Sequence, residues 1–370
     1  MNSVPFNASI DFRRDKVMQI DLHHAMTWVV ARDAGFSPAQ ATTIAHAAQY
    51  VDDATNYGHI KFHNGAAYER IATAHKMLEY RNLDSLKNMK VWVPFHFLPG
   101  NGGLPAGENP AGSFIQKLVC RPHSFVAKDM VAEVLADKDR PHSLHRLGIT
   151  AHVFIDTWGH RGFAGVDHPV NHVRDIKDHN GQSHETLIAK VTDYFANILQ
   201  DNIPSLGHGQ ALSHPDLPHQ HWSYQNGLGE AVERNNPVDF LQAANALCKV
   251  FQTYLVRPIT GLSPGVEREI AQCFSQFVSD NGATRHQQWL DAIAADRFGL
   301  GAHQLTYIAK GPGSWKHQAL GTTLADGDED CYQYHPDFLH SDWKHFHDAA
   351  KKHRQSIIVD ILPRYGICVS

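Results

Sequence analysis

The stretch from Ala151 to Gly165 reads AHVFIDTWGHRGFAG, and it places His152, Asp156 and His160 four residues apart. On a helix that spacing puts the three side chains on one stripe. An imidazole and a carboxylate one turn apart can reach one ion, and a series at i, i+4 and i+8 can serve two. A carboxylate between two imidazoles is suited to bridging such ions. The pattern predicts a helix over 143–160. Leu144, Leu147, Ala151, Phe154, Ile155 and Trp158 make most of its surface apolar, while His145 and Ile149 extend the polar stripe backwards. A solvated polar face is the plain alternative. The apolar neighbours weigh against it, because a buried His or Asp needs a partner.

Two earlier segments supply complementary groups. Asp21-Leu22-His23-His24 opens one helical segment, and the next carries His46, Gln49, Tyr50 and Asp53 on one stripe with Asp52 beside it. Adjacent carboxylates inside AAQYVDDA fit one on a metal and its neighbour steadying a ligand histidine. They also fit a helix leaving the core for solvent. His96 lies between aromatics in PFHFLPG, where an unpaired imidazole is costly, and His208 in LGHGQ has small neighbours that admit a ligand. The candidate metal ligands are therefore His23, His24, Asp53, His96, His152, Asp156, His160 and His208. Asp52 or Asp53 is placed to accept a proton from a metal-bound water, and Arg161 to hold a phosphate oxygen. His59 and His63 read as an exposed turn, and His75 as a helix-face residue. His214, Asp216, His219 and His221 in HPDLPHQHW read as loop and surface groups. The late HSDWKHFHDAAKKH reads as a solvated helix face.

The elements that must position these groups read as helical almost throughout. Apolar residues recur at helical spacing from Met18 to Ala34, and Gly35 closes that segment. Ser37-Pro38 then supplies an N-cap and a first-turn proline for a second helix ending near 56–58. The two should form an antiparallel hairpin. Residues 91–112, VWVPFHFLPGNGGLPAGENPAG, read as a long loop lining a site. Further helices are expected after Pro122 and at about 184–203, 237–256, 264–280, 284–297 and 336–362. Residues 166–183 and 205–229 read as polar, His-rich loops. The expectation is an all-α protein, one helical domain over 1–370, with the metal half at about 18–225 and a helical C-terminal half at about 230–370.

Composition removes several function classes. Twenty-eight of 370 residues are histidine, the commonest metal ligand. Net charge is −5 and the cations are scattered, so no duplex nucleic-acid footprint is expected. The five cysteines are dispersed without a C-x-x-C, which argues against a disulfide framework and a thiolate zinc site. The N-terminus lacks a signal-peptide pattern, and no apolar run reaches the ~18 residues of a membrane span. The default location is cytoplasmic, with export by a signal-independent route left open. Zincin, serine-hydrolase, Walker, Rossmann and di-iron E-x-x-H patterns are absent. A His347-Asp348 dipeptide comes too late, in too polar a setting, for an HD-type phosphohydrolase.

The blocks DLHHAMTWVVARDAGFSPAQATTIAHAAQYVDDATN, VWVPFHFLPG, LGITAHVFIDTWGHRGFAG and LGHGQALSHPDLPHQHW resemble an uncharacterised bacterial protein family over about residues 18–225. That resemblance implies no activity. More distantly, the order of elements resembles the zinc-dependent phospholipase C and single-strand nuclease fold. This second resemblance implies an all-α bundle with a three-zinc cleft, its ligands matching His23 or His24, Asp52 or Asp53, His96 or His75, and His152 with Asp156. The chain departs from it: position 162, where that fold has a histidine, is glycine, and the following H-x-x-x-E is missing. The expected function is a metal-dependent hydrolase of a phosphate ester, on a small molecule or a lipid. It would use one to three zinc ions, with manganese or iron as substitutes. The rival expectation is a non-catalytic metal-binding protein, structural or associated with a toxin or effector.

Overall fold

The computed structural model of the protein describes residues 19–75, 85–178, 211, 213–324 and 331–369. The opening hairpin forms as its end signals require. A π-helical turn, Asp21–Met26, runs directly into α1, Thr27–Ala34, which Gly35 ends at φ 110°. α2, Pro38–Asp53, starts at a capping box: the Ser37 hydroxyl accepts from the Gln40 N–H, and the Gln40 side chain accepts from the Ser37 N–H. The π turn is not legible in the helical spacing. It matters because it carries both His23 and His24, buried, and such turns recur at functional sites.

α3 spans Ser85–Phe95, α4 Ile115–Leu118 and α5 Phe125–Ala136. α6, Ser143–Gly159, is the axis of the molecule and is buried continuously from His145 to Gly159. Its apolar side joins the main core with α1, α2 and α7, Asn236–Tyr254. α8, Pro264–Gln276, and α9, Gly282–Ala294, close that core on its outer side. α10, Trp315–Leu320, and α11, Asp342–Gln355, form a second core with the end of α2 and with Ile149. α2 crosses α6 at unusually short range because Gly148 faces it. A Cβ there would lie 2.4 Å from the Ile44 carbonyl oxygen and 2.7 Å from the Ala47 Cβ. The missing side chain is what lets the ends of α2 and α6 share one site.

The fold is mixed α/β, which overturns the all-α expectation. Two three-stranded sheets are present, in orders β2-β1-β6 and β3-β4-β5. The first comprises β1 Gly58–Phe62, β2 Ala67–Arg70 and β6 Cys331–Tyr332; the second β3 Val173–Asp178, β4 His221–Asn226 and β5 Ala231–Asn235. These strands have two to six residues, too few for a period-two pattern to stand out in sequence. β1 and β6 pair in parallel across most of the chain, and a bulge interrupts the β3–β4 register. HIKFH and the edges of the His-rich loops therefore read as turns when they are half-buried strands. Two further readings are corrected. Residues 91–95 close α3, with Pro94 tolerated in its last turn, instead of opening a loop. α11 buries Trp343, Phe346, His347, Ala349, Ala350 and His353, so it is no solvated face. The helix expected at 184–203 lies outside the described residues.

Candidate metal centre

α6 and the end of α3 deliver three buried donor atoms to one point, and α2 sets Asp52 beside them. α6 presents His152 Nε2 and Asp156 Oδ2, 3.2 Å apart one turn from each other. The residue after α3, His96, brings Nδ1 to 3.2 Å from His152 Nε2 and 3.4 Å from Asp156 Oδ2. The penultimate residue of α2, Asp52, brings Oδ1 to 3.8 Å from His152 Nε2 and 3.9 Å from His96 Nδ1. Donors bonded tetrahedrally to one ion at ~2.0–2.1 Å lie about 3.3 Å apart. The His96–His152–Asp156 triad has those dimensions, and Asp52 stands further out, 3.8–3.9 Å from the two imidazole nitrogens. The side chains of His96, His152 and Asp156 are 5%, 0% and 2% exposed, whereas Asp52 is 36% exposed. Asp52 is the most exposed of the four.

The surrounding contacts orient the rings. His96 Nε2 lies 2.9 Å from the Thr73 carbonyl oxygen, so Nε2 carries the proton and Nδ1 turns a lone pair into the cage. His160 repeats the device: its Nδ1–H donates to the His96 carbonyl at 2.8 Å. His23, on the π turn, stacks on His152 with ring centroids 3.8 Å apart, and its Nε2 is 3.2 Å from Asp156 Oδ1. The ligand atoms of His23, Asp52 and His152 form a second convergent group, all within 4.8 Å of one another. Neither Asp156 oxygen has a hydrogen-bond partner, although both are buried. A buried carboxylate without donors is costly, and a cation at this point removes the cost.

Electrostatics follow from that crowding. Burial alone would push Asp156 up, but His160, His152 and His23 together hold it well below the usual carboxylate range. Burial and the neighbouring His23 push His152 down to about 3, against the pull of Asp156. A neutral His152 beside an ionised Asp156 is the pair of protonation states that metal ligation requires. Burial raises Asp52, with His23 and His96 opposing.

The other expected site residues separate. His24 faces away from the cage: its Nδ1 pairs with His286 Nε2 at 2.9 Å, and burial drives it well below its ordinary value. Asp53 turns to the other side of α2, where its Oδ2 accepts from the Tyr307 hydroxyl at 2.5 Å. Burial raises Asp53 to about 6. Gln49 Nε2 reaches both carboxylates, at 3.3 Å to Asp52 and 3.4 Å to Asp53. Arg161 ion-pairs with Asp239 at 3.2 Å, and Arg234 shares that carboxylate. His208 lies outside the described residues.

Sequence reasoning missed Asp216, assigning it to a surface loop. It is 2% exposed on the short turn His214–Asp216, with Oδ1 4.0 Å from His160 Nε2 and hydrogen-bonded to the Gln19 amide. The available signal was Pro215, which starts that turn inside an otherwise polar segment. Asp21 and Arg285 were also missed. They form a buried bidentate pair, 2.7 and 3.1 Å, that ties the π turn bearing His23 to α9.

A family model described as "Family of unknown function (DUF6765)" matches residues 18–361. The chain belongs to this family. The match takes in all the cage residues and extends well past the blocks that first suggested it. No curated protein and no solved structure matches the chain, so the distant likeness to the phospholipase C fold has no support. No described helix is long and apolar enough to cross a membrane.

Proposed function

We propose that this family member is a metal-dependent hydrolase acting on a phosphate ester. The observation that carries the reading is the cage of His96 Nδ1, His152 Nε2, Asp156 Oδ2 and Asp52 Oδ1. Its His96–His152–Asp156 triad has the spacing of donors on a single ion, and Asp52 stands further out on the more exposed side. Two imidazoles and two carboxylates with no thiolate suit zinc, manganese or iron. A divalent ion held there supplies an acidified water and neutralises charge on a phosphoryl oxygen. Asp52 is the exposed donor and its edges are the longest, so it is the corner at which a water would enter the shell. A small cavity of about 20 Å³, room for about one water, lies next along α2, lined by Asp53, Arg70, Lys310, Lys316 and His347.

One observation favours a second reading. Four protein donors are enough to fill a tetrahedral shell, as in a structural zinc site. A hydrolase needs a fifth position for water. The two separate on cobalt-substituted protein. If the site is catalytic, phosphate or azide changes the visible spectrum by entering the open position, and the metal-replete enzyme cleaves members of a panel of chromogenic phosphate esters and phospholipids. Chelator abolishes that cleavage and zinc or manganese restores it. A spectrum indifferent to anions, with no turnover across the panel, sinks the hydrolase and leaves the structural site.

A further inference from the structure

Asp52 is the outermost of the four donors. Its side chain is 36% exposed, and its Oδ1 faces the His96 and His152 nitrogens from 3.9 and 3.8 Å. Among the described residues, one hydrogen bond holds that side chain: Gln49 Nε2 donates to Asp52 Oδ2 at 3.3 Å. Gln49 lies three residues earlier on α2, so the two side chains share a face of the helix. The oxygen it grips is not the one that faces the imidazoles. The carboxylate is thereby fixed with Oδ1 towards them.

The same amide nitrogen has a second acceptor, Asp53 Oδ2 at 3.4 Å, and that oxygen also takes the Tyr307 hydroxyl at 2.5 Å. The NH₂ group has two N–H bonds, one for each carboxylate. Gln49 is thus held between the adjacent aspartates and anchored through Asp53 to Tyr307. Glutamine–aspartate pairs at this spacing are weak braces on exposed helices. Gln49 differs from those: it is 1% exposed, and its Oε1 is buried without a hydrogen-bond partner. Burying an amide with its oxygen unpaired is costly. Methionine or leucine would fill the space without that cost, so packing does not account for the amide. Its two N–H bonds do.

We infer that Gln49 is the positioning residue of the metal centre: its amide aims Asp52 at the ion, and Asp53 with Tyr307 holds the amide. The inference rests on an ion occupying the cage proposed above. It divides the labour between neighbouring carboxylates. Asp52 meets the ion, and Asp53 steadies the group that orients Asp52. Without this brace a half-exposed aspartate exchanges between rotamers, and the ion keeps three donors.

The test is a double-mutant cycle on zinc affinity, read by competition with a chromophoric chelator on untagged full-length protein. Gln49→Met and Gln49→Leu remove the N–H bonds and keep the bulk, and circular dichroism with a thermal melt of the stripped protein confirms that each is folded. Each is expected to lower zinc affinity by about 10–100-fold in the wild-type background. With Asp52→Ala already in place, each is expected to change it by less than about twofold, because the ligand that Gln49 aims is gone. Cobalt-loaded Gln49→Met is expected to take on the visible spectrum of cobalt-loaded Asp52→Ala, a signature that a packing defect does not produce. Equal losses in both backgrounds, or wild-type affinity and spectrum in the Gln49 variants, overturn the positioning role while the single-ion reading stands. No zinc bound by wild type overturns both.

Discussion

Gly148→Ala, which changes no ligand, should weaken the metal site. Gly148 sits where α6 meets α2, and an added Cβ would lie 2.4 Å from the Ile44 carbonyl oxygen and 2.7 Å from the Ala47 Cβ. Ordinary contact begins near 3.4 Å, so the two helices must part by about 1 Å. Both partners are rigid here, one a main-chain carbonyl and the other an alanine, so no side chain can swing away. Overpacking of this kind costs about 1–3 kcal/mol. The same shift carries Asp52 from His152, lengthening a 3.8 Å edge to ~4.8 Å. Two donors at ~2.1 Å from one ion cannot stand farther apart than about 4.2 Å. The cage therefore loses Asp52, and affinity should fall by about 10–100-fold. Zinc competition against a chromophoric chelator measures the affinity, and a thermal melt of the stripped protein measures the packing cost. A Gly148→Ala protein that binds zinc as tightly as wild type and melts within a degree of it would refute the argument that this crossing sets the cage.

Three other outcomes follow from the same contacts. Asp52→Asn should cost metal affinity, while Asp53→Asn and Tyr307→Phe should retain wild-type metal content by elemental analysis, because Asp53 faces Tyr307 and not the cage. Asp21→Ala takes the carboxylate partner from the buried Arg285 guanidinium, which should cost about 3–5 kcal/mol in urea unfolding, whereas Asp21→Leu with Arg285→Met should recover much of it. Acid should destabilise the stripped protein well before its carboxylates titrate. Burial lowers His46, His347 and His353 to about 3, so they stay neutral when folded but take up protons when unfolded below about 6.5. Their contribution is complete above pH ~6.5 and is lost as pH falls towards 3, by about 2 kcal/mol per imidazole between pH 7 and 5. A flat urea-stability profile over that interval would show these histidines to be protonated in the native state.

The His152–Asp156–His160 stripe was readable because a helix repeats over enough residues for its period to show, and Ser37-Pro38 and Gly35 marked the hairpin's ends chemically. The pairing of α2 with α6 was inferable only from the need of buried polar groups for partners. What could not be read depends on single atoms meeting at long range. Choosing between His23 and His24, or between Asp52 and Asp53, needs the rotation of a π turn and of the last turn of α2. Adjacent residues there differ by roughly a quarter turn. Asp216 approaches His160 from a short turn with no period of its own. The strands were missed for the same reason, since two to six residues carry too little alternation and their partners are remote in sequence.

The central claim is that one ion sits among His96, His152, Asp52 and Asp156. It is tested most directly by an anomalous difference map at the zinc absorption edge, from crystals of untagged protein equilibrated with zinc. The account predicts a peak about 2.0–2.2 Å from His96 Nδ1, His152 Nε2 and a carboxylate oxygen of each of Asp52 and Asp156. The cage refined without anomalous density, its imidazoles and carboxylates hydrogen-bonded only to one another, would contradict it.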